Sequence, residues 1–138
     1  LELMRRAGWE RRLSAAVRDW EDRPFAWGSA DCLGFCRAVA RSMTWEDPIP
    51  GLPDYGSEYG AAKVLVSLGF QSIEALVDAH LARLPVAGAR RGDWVMTACE
   101  GAMPGAMGVV TGRYAQHMGR NGLVRRPVLT AEAAWRID

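Results

Sequence analysis

Residues 27–36 read Trp-Gly-Ser-Ala-Asp-Cys-Leu-Gly-Phe-Cys, and this stretch decides how the chain is interpreted. Its first four residues are typical of a turn, and Asp31 stands where a helix N-cap is expected. Apolar side chains then recur at helical spacing, which predicts a buried helix from Asp31 to about Met43. Cys32 falls in the first turn of that helix, where the macrodipole and unpaired backbone N–H groups favour a thiolate. The stretch therefore predicts a candidate nucleophile at Cys32.

The pattern on either side of this stretch predicts helices first and strands afterwards. Apolar periodicity and caps indicate further helices over residues 5–21, 57–68 and 72–79. Alternating segments separated by glycine turns indicate strands over residues 92–96, 106–110, 114–118, 123–128 and 135–137, with a helical turn at 130–134. This order predicts an α+β fold, with a helical part over about 5–80 and a sheet part over about 90–138. The length predicts one domain, residues 1–138.

Composition excludes several classes of function. With 49% apolar and 24% charged residues and a net charge of +1, the chain has an ordinary globular balance and no bulk affinity for nucleic acid. No apolar run is long enough to predict a membrane span, and three cysteines are too few for a disulfide scaffold, which indicates synthesis in a reducing compartment. Two arginine pairs, Arg90-Arg91 and Arg125-Arg126, are expected at solvated strand ends, with binding of an anionic ligand as the alternative.

Three marks carry a family resemblance. Residues 31–35, Asp-Cys-Leu-Gly-Phe, resemble the Asp-Cys-Ser-Gly-Phe that begins a helix in NlpC-type papain-like cysteine peptidases. Gly92-Asp93 is similar to the Gly-Asp that opens the first strand in that family, and residues 106–110 have the shape of its His-Val-Gly-Ile-Tyr strand. The resemblance implies a reduced papain-like fold, with N-terminal helices packed on a small antiparallel β-sheet. It also implies descent from enzymes that cleave peptide bonds in bacterial cell walls.

Short pieces along most of the chain also resemble a group of small phage proteins of this fold, which are encoded among the tail genes of siphoviruses. The pieces are residues 24–28, 55–60, 69–70, 89–93, 122–124 and 134–137. This resemblance implies a virion protein at the phage tail tip, made in the host bacterial cytoplasm. Its expected partners are other tail proteins, namely hub, distal tail or fibre proteins, and peptidoglycan if the site is active.

The sequence departs from the peptidase pattern at the position of the catalytic base. A nucleophilic cysteine needs a group that takes its proton, usually a histidine. In the family that histidine begins the second strand, a position that falls on Ala106, or on Gly105 if the register slips by one. His117 falls about where the family places the polar residue that orients the histidine. It could be a displaced base or a relic of the orienting position, and a solvent-facing strand residue is the simpler interpretation. His80 is expected at the end of a helix, on the surface.

The remaining candidates have structural interpretations beside the functional ones. Asp31 is expected to cap its helix, and Trp27 could form a wall of a substrate groove. Cys32 and Cys36 with Cys99 could bind zinc, but a four-residue helical spacing favours core packing, so no metal and no cofactor is predicted. The proline-rich loop over residues 44–56 is expected to act as a lid or as a docking surface.

Three hypotheses follow for the function. The first is a tail-tip component of a tailed phage with a structural or assembly role and a degenerate catalytic site. The second is an active peptidoglycan endopeptidase of the tail tip, with Cys32 as nucleophile and His117 as base. The third is a host-encoded hydrolase of the same fold, which would be expected to carry an export signal and a cell-wall-binding repeat.

Overall fold

Helices form the first half of the molecule and a single sheet forms the second. The computed structural model describes residues 3–99 and 105–138. Within these ranges the helices are α1 (Trp9–Trp20), α2 (Cys32–Thr44), α3 (Glu58–Ser67) and α4 (Ile73–Asp78). The strands are β1 (Arg83–Leu84), β2 (Trp94–Thr97), β3 (Ala106–Val110), β4 (Tyr114–Gly119), β5 (Gly122–Pro127) and β6 (Ala133–Trp135). All pairings are antiparallel, in the order β1-β6-β2-β3-β4-β5, which confirms the α+β prediction.

Most predicted elements lie within a few residues of their predicted bounds, and the differences have local causes. The first helix begins at Trp9 rather than near residue 5, because Gly8 precedes it with a left-handed φ of 80°. The predicted helical turn at 130–134 and strand at 135–137 are both placed too late. Proline at position 127 ends β5, a 3-10 turn follows at once over Val128–Thr130, and the last strand is Ala133–Trp135. The two-residue strand β1 was too short to give a pattern.

The main core lies between the helices and one side of the sheet. Helix α2 packs against α1 and against β3, and its inward face is fully buried. That face consists of Phe35, Cys36, Val39, Ala40 and Met43. Met107 and Val109 of β3 face this core. The position of Cys36 agrees with the core-packing interpretation of this cysteine.

A second, smaller cluster covers the other side of the sheet. It contains Val95, Val110, Ala115 and Ala134, and Val128 of the 3-10 turn packs over them. Because this side is covered, residues of β4 that point to it are buried rather than solvated. Alternation along β4 places His117 on the same side of the sheet as Ala115 of this cluster.

A buried carboxylate joins the two ends of the chain to the start of the sheet. Asp93 is fully buried and accepts hydrogen bonds from the backbone N–H groups of Arg90 (2.8 Å) and Ile137 (3.1 Å). Its ion pair with Arg5, at 2.9 Å, is also largely shielded from water. The Gly92-Asp93 motif therefore has a structural role. The Asp93 carboxylate holds the turn before β2 against Arg5 near one end of the chain and Ile137 near the other. In the described ranges no helix is long and apolar enough to cross a membrane.

Candidate active-site cleft

The candidate site is built around Asp31, which caps α2. Its Oδ1 accepts a hydrogen bond from the backbone N–H of Gly34 at 2.7 Å, as an N-cap carboxylate does. Its Oδ2 accepts from the backbone N–H of Gly28 at 3.0 Å and from the hydroxyl of Tyr55 at 2.6 Å. Only 2% of Asp31 is exposed. The capping role predicted for Asp31 is present, and the same carboxylate also closes the preceding turn and holds a distant loop.

The turn before Asp31 and the loop that carries Tyr55 are in close contact. Gly28 has a φ of 85°, and a Cβ at this position would lie 1.9 Å from the carbonyl oxygen of Tyr55. Only glycine fits this approach. Burial, followed by the hydrogen bond to Asp31, raises the pKa of Tyr55, so its hydroxyl remains a donor. Tyr55 lies 24 residues from Asp31, and no local pattern in the sequence pairs them.

Cys32 is the first residue of α2, directly after its cap. Its sulfur lies beside the backbone N–H groups of Met107 and Leu33, which act to lower its pKa. Burial is the larger influence, and together with the negative charge of Asp31 it raises the pKa of Cys32 to about 11. At neutral pH the thiol is therefore protonated, and a base would be needed to activate it.

Cys32 opens into a cleft of about 280 Å³ between the helices and the start of the sheet. Trp27, Leu52 and Tyr55 contribute apolar and aromatic walls, and Met118 and Ala106 contribute the sheet side. The charged residues that line it are Asp31, Glu58 and Arg126. The Trp27 ring contacts Phe25 edge to face, with centroids 5.0 Å apart. Trp27 thus lines this cleft, whose volume is of the size of one bulky side chain; that the cleft is a substrate groove stays a prediction.

Ala106 lies at the position where the resemblance places the catalytic histidine. It is the first residue of β3, pairs with Thr97 of β2, and lines the same cleft as Cys32. The strand therefore brings the expected position beside the nucleophile, but the side chain there is a methyl group. Gly105, the other candidate register, also lines the cleft and has no side chain.

His117 is buried and engaged elsewhere. Its ring lies over Gly108, the residue paired with it on β3, so closely that a Cβ there would be 2.5 Å from Cε1. Nδ1 lies 3.2 Å from the carbonyl oxygen of Met107, which makes Nδ1 the protonated nitrogen, and Nε2 lies 3.4 Å from the hydroxyl of Thr97. Burial lowers the pKa of His117 to about 4. The expectation of a solvent-facing residue is wrong, since His117 is 2% exposed.

The structure does not bring His117 to Cys32 as a base. Among the described residues, no hydrogen bond joins the sulfur to either ring nitrogen, and the cleft is lined by Met118 rather than by its neighbour His117. Alternation along a strand puts Ala106 and Gly108 on one side of β3, and His117 lies opposite Gly108 on that side. His117 and position 106 therefore lie on the same side of the sheet. That His117 is a relic of the orienting position stays a prediction.

The other polar candidates lie as follows. Cys99 is exposed and lines the cleft, where its sulfur accepts a hydrogen bond from the backbone N–H of Gly105 at 3.3 Å. No group of three metal-binding side chains occurs among residues 3–99 and 105–138. His80 is exposed at the end of α4, with Nδ1 at 3.0 Å from the carbonyl oxygen of Leu76. This is the surface position expected for it.

Comparison with known proteins agrees with this architecture. The structure is similar to the crystal structure of the NlpC/p60 domain of the peptidoglycan hydrolase SagA, with a TM-score of 0.61 and 16% sequence identity. The similarity covers 92% of this chain and 97% of the other. It shows the papain-like NlpC/p60 fold that the three sequence marks imply. Among curated protein sequences, none matches the chain. Residues 4–137 match the family described as a domain of unknown function, DUF6950, and the chain therefore belongs to that family.

Proposed function

We propose that this chain is a non-hydrolytic component of a phage tail tip, in which the NlpC/p60 fold has been kept for assembly. The observation that carries the proposal is that Ala106, which has no group that could act as a base, lines the Cys32 cleft at the position where the resemblance places the family's histidine. The proposed partners are other tail proteins, namely hub, distal tail or fibre proteins. The proposed location is the virion, after synthesis in the host cytoplasm.

The protonation state of the Cys32 thiol supports a non-hydrolytic role. A pKa of about 11 leaves only about one thiol in ten thousand ionised at neutral pH. The Asp31 carboxylate already accepts hydrogen bonds from the N–H groups of Gly34 and Gly28 and from the Tyr55 hydroxyl. His117 donates from Nδ1 to the Met107 carbonyl oxygen and does not contact the sulfur. None of these groups is placed to accept the thiol proton.

The cleft retains the character of a binding site even without a base. Trp27, Leu52 and Tyr55 form a mainly apolar wall, and Arg126 with Glu58 supplies charge at its border. An apolar or aromatic side chain of a tail protein fits such a cleft in size and polarity. The six sequence pieces shared with phage tail-module proteins support this choice of partner.

The test is the composition of phage particles. Tailed particles are induced from the strain that encodes the chain, purified, and their proteins are quantified by mass spectrometry. The chain is expected in a fixed ratio to the tail proteins, and a Cys32→Ala variant is expected to assemble and to infect normally. Absence of the chain from purified tails would overturn the structural role, and loss of infection in a Cys32→Ala phage with normal tails would overturn the non-hydrolytic one.

The alternative function is an active peptidoglycan endopeptidase of the tail tip with Cys32 as nucleophile. It is favoured by the position of Cys32 at the N-terminus of α2 and by the two backbone N–H groups beside its sulfur. A base would then have to come from a partner chain. Purified tails that release peptides from peptidoglycan, and lose this ability with Cys32→Ala, would establish this function instead.

Introducing a histidine at position 106 tests whether the absence of that side chain is what keeps the Cys32 thiol unreactive. In a Cys99→Ser background, Ala106→His is expected to place an imidazole between Cys32 and His117 and to lower the pKa of Cys32. The rate of alkylation of Cys32 by iodoacetamide at neutral pH should rise roughly tenfold or more. The matched control, Ala106→Gln, adds a side chain of similar size that is not a base and should leave the rate low. Equal rates in both variants would show that the absent histidine is not what keeps the thiol inert.

A further inference from the structure

A second concave site lies apart from the Cys32 cleft and is rich in arginine. It is a pocket of about 510 Å³ between the last turns of α1 and the β3–β4–β5 meander. Arg18 of α1, Arg91 before β2 and Arg125 of β5 all line it. Each pair of arginines that the sequence placed at strand ends thus contributes one residue to this pocket. The two clefts share no lining residue.

The charge in this pocket is not neutralised within the chain. In the part of the chain that the structure describes, none of these three arginines forms an ion pair. Glu21 is the acidic residue of the lining, so three positive groups and one negative group leave a net charge of +2. Three guanidinium groups around one concavity repel each other, and an anion between them removes that repulsion.

Neighbouring contacts hold the pocket in shape before any ligand arrives. The guanidinium of Arg125 lies 4.9 Å from the centre of the Tyr114 ring, which restricts its orientation. The backbone carbonyl of Arg91 accepts a hydrogen bond of 2.7 Å from Arg5. The amide of Gln116 donates to the hydroxyl of Thr111 at 3.2 Å, which restricts these two side chains of the pocket lining. A preorganised site loses less entropy on binding.

We propose that this pocket binds the phosphate group of a small phosphate ester. The fork of a guanidinium matches two oxygens of a phosphate, and three arginines line this one pocket. The volume exceeds that of a phosphate ion and leaves room for the organic part of the ester, for which Ser14 and Gln116 offer polar contacts. The net charge of the chain is only +1, so its overall charge gives no bulk attraction for a long polyanion.

The test is a calorimetric and NMR titration of the full chain with glycerol 3-phosphate. Saturable binding at millimolar concentrations is expected, with amide shifts confined to residues around the pocket, and glycerol should not bind. Arg91→Gln and Arg125→Gln should each weaken binding roughly tenfold, since a hydrogen-bonded charge is lost. Arg136→Gln is the matched control, because Arg136 is exposed, lies outside the pocket lining and carries the same charge.

Three outcomes would overturn the proposal. The first is no saturable binding of glycerol 3-phosphate by the wild-type chain. The second is an equal loss of affinity in Arg136→Gln and in the pocket variants, which would indicate general charge rather than a site. The third is tighter, Arg91-dependent binding of a short single-stranded DNA than of glycerol 3-phosphate, which would assign the pocket to a nucleic acid instead. All variants replace exposed side chains, so their unfolding curves should match the wild type and verify that each is folded.

Discussion

The two halves of the Cys32 cleft differ in how much of a peptidase site they keep. On the helix side, Asp31 caps α2, closes the turn at Gly28 and binds Tyr55, and Cys32 follows at the helix start. On the sheet side, Ala106 stands where a base is expected, and in the part of the chain that the structure describes no hydrogen bond joins His117 to the sulfur. The helix side thus matches the peptidase pattern at Asp31 and Cys32, and the sheet side departs from that pattern at position 106.

This difference shows which parts of such a site are also needed for folding. Asp31 satisfies three donors and is 2% exposed, so its removal would leave buried polar groups without partners. A histidine at position 106 would lie at the end of a strand beside a cleft, where a methyl group leaves no buried donor unpaired. Under the proposed non-hydrolytic function a base at position 106 has no role, while the stability of α2 still depends on the Asp31 cap.

The largest loss of stability is expected from a substitution on the helix side of the cleft. Asp31→Ala removes the cap of α2, the bond that closes the Gly28 turn and the acceptor of the Tyr55 hydroxyl. The free energy of unfolding should fall by about 3 kcal/mol, the sum of a lost cap and an unpaired buried donor. Urea denaturation measures the change. Ser57→Ala is the matched control, since Ser57 caps α3 through Gly60 at an exposed site and should cost about 1 kcal/mol. Equal losses in both variants would show that Asp31 is a cap and no more.

The next loss of stability is expected on the sheet side of the cleft. There we expect the His117 ring to be held in place by packing. Gly108→Ala places a Cβ within 2.7 Å of three ring atoms of His117, so the buried ring must move. We expect a loss of about 2 kcal/mol from overpacking. The double variant Gly108→Ala with His117→Ala should lose less than the sum of the two single variants, because the clash is gone. A strictly additive double-mutant cycle would contradict close packing of the ring on Gly108.

Sequence patterns predicted the elements well because each depends on neighbouring residues. Helical spacing and the Asp31 cap located α2, and alternation located β3 and β4. The burial of His117 could not be predicted, because its ring packs over Gly108 and lies beside Met107 and Thr97 of neighbouring strands, which only the fold brings together. The bond between Asp31 and Tyr55 also escaped prediction, since it joins residues brought together only by the fold.

An effect of similar size is expected from the protonation of His117. Burial lowers its folded pKa to about 4 from an ordinary value of 6.5, so the unfolded chain takes up the proton first as the pH falls. The stability that depends on neutral His117 is therefore complete above about pH 6.5 and is lost as the pH falls toward 4. Between pH 7 and about pH 4.5 the loss should be roughly 2 kcal/mol. His117→Gln does not titrate there, so its unfolding free energy should fall by less than that of the wild type over this interval. Parallel pH curves for the two proteins would contradict the lowered pKa.

The smallest effect separates the two roles of Asp31. Tyr55→Phe removes only the hydroxyl that donates to Oδ2 at 2.6 Å and leaves the cap bond to Gly34 intact. Because Oδ2 still accepts from the N–H of Gly28, the expected loss of stability is about 1 kcal/mol. Hydrogen exchange should report faster opening at Gly56 and its neighbours, while the amides of α2 keep their protection. If α2 loses protection to the same extent, Tyr55 supports the whole helix start, and the helix side of the cleft depends on the loop as much as on its own cap.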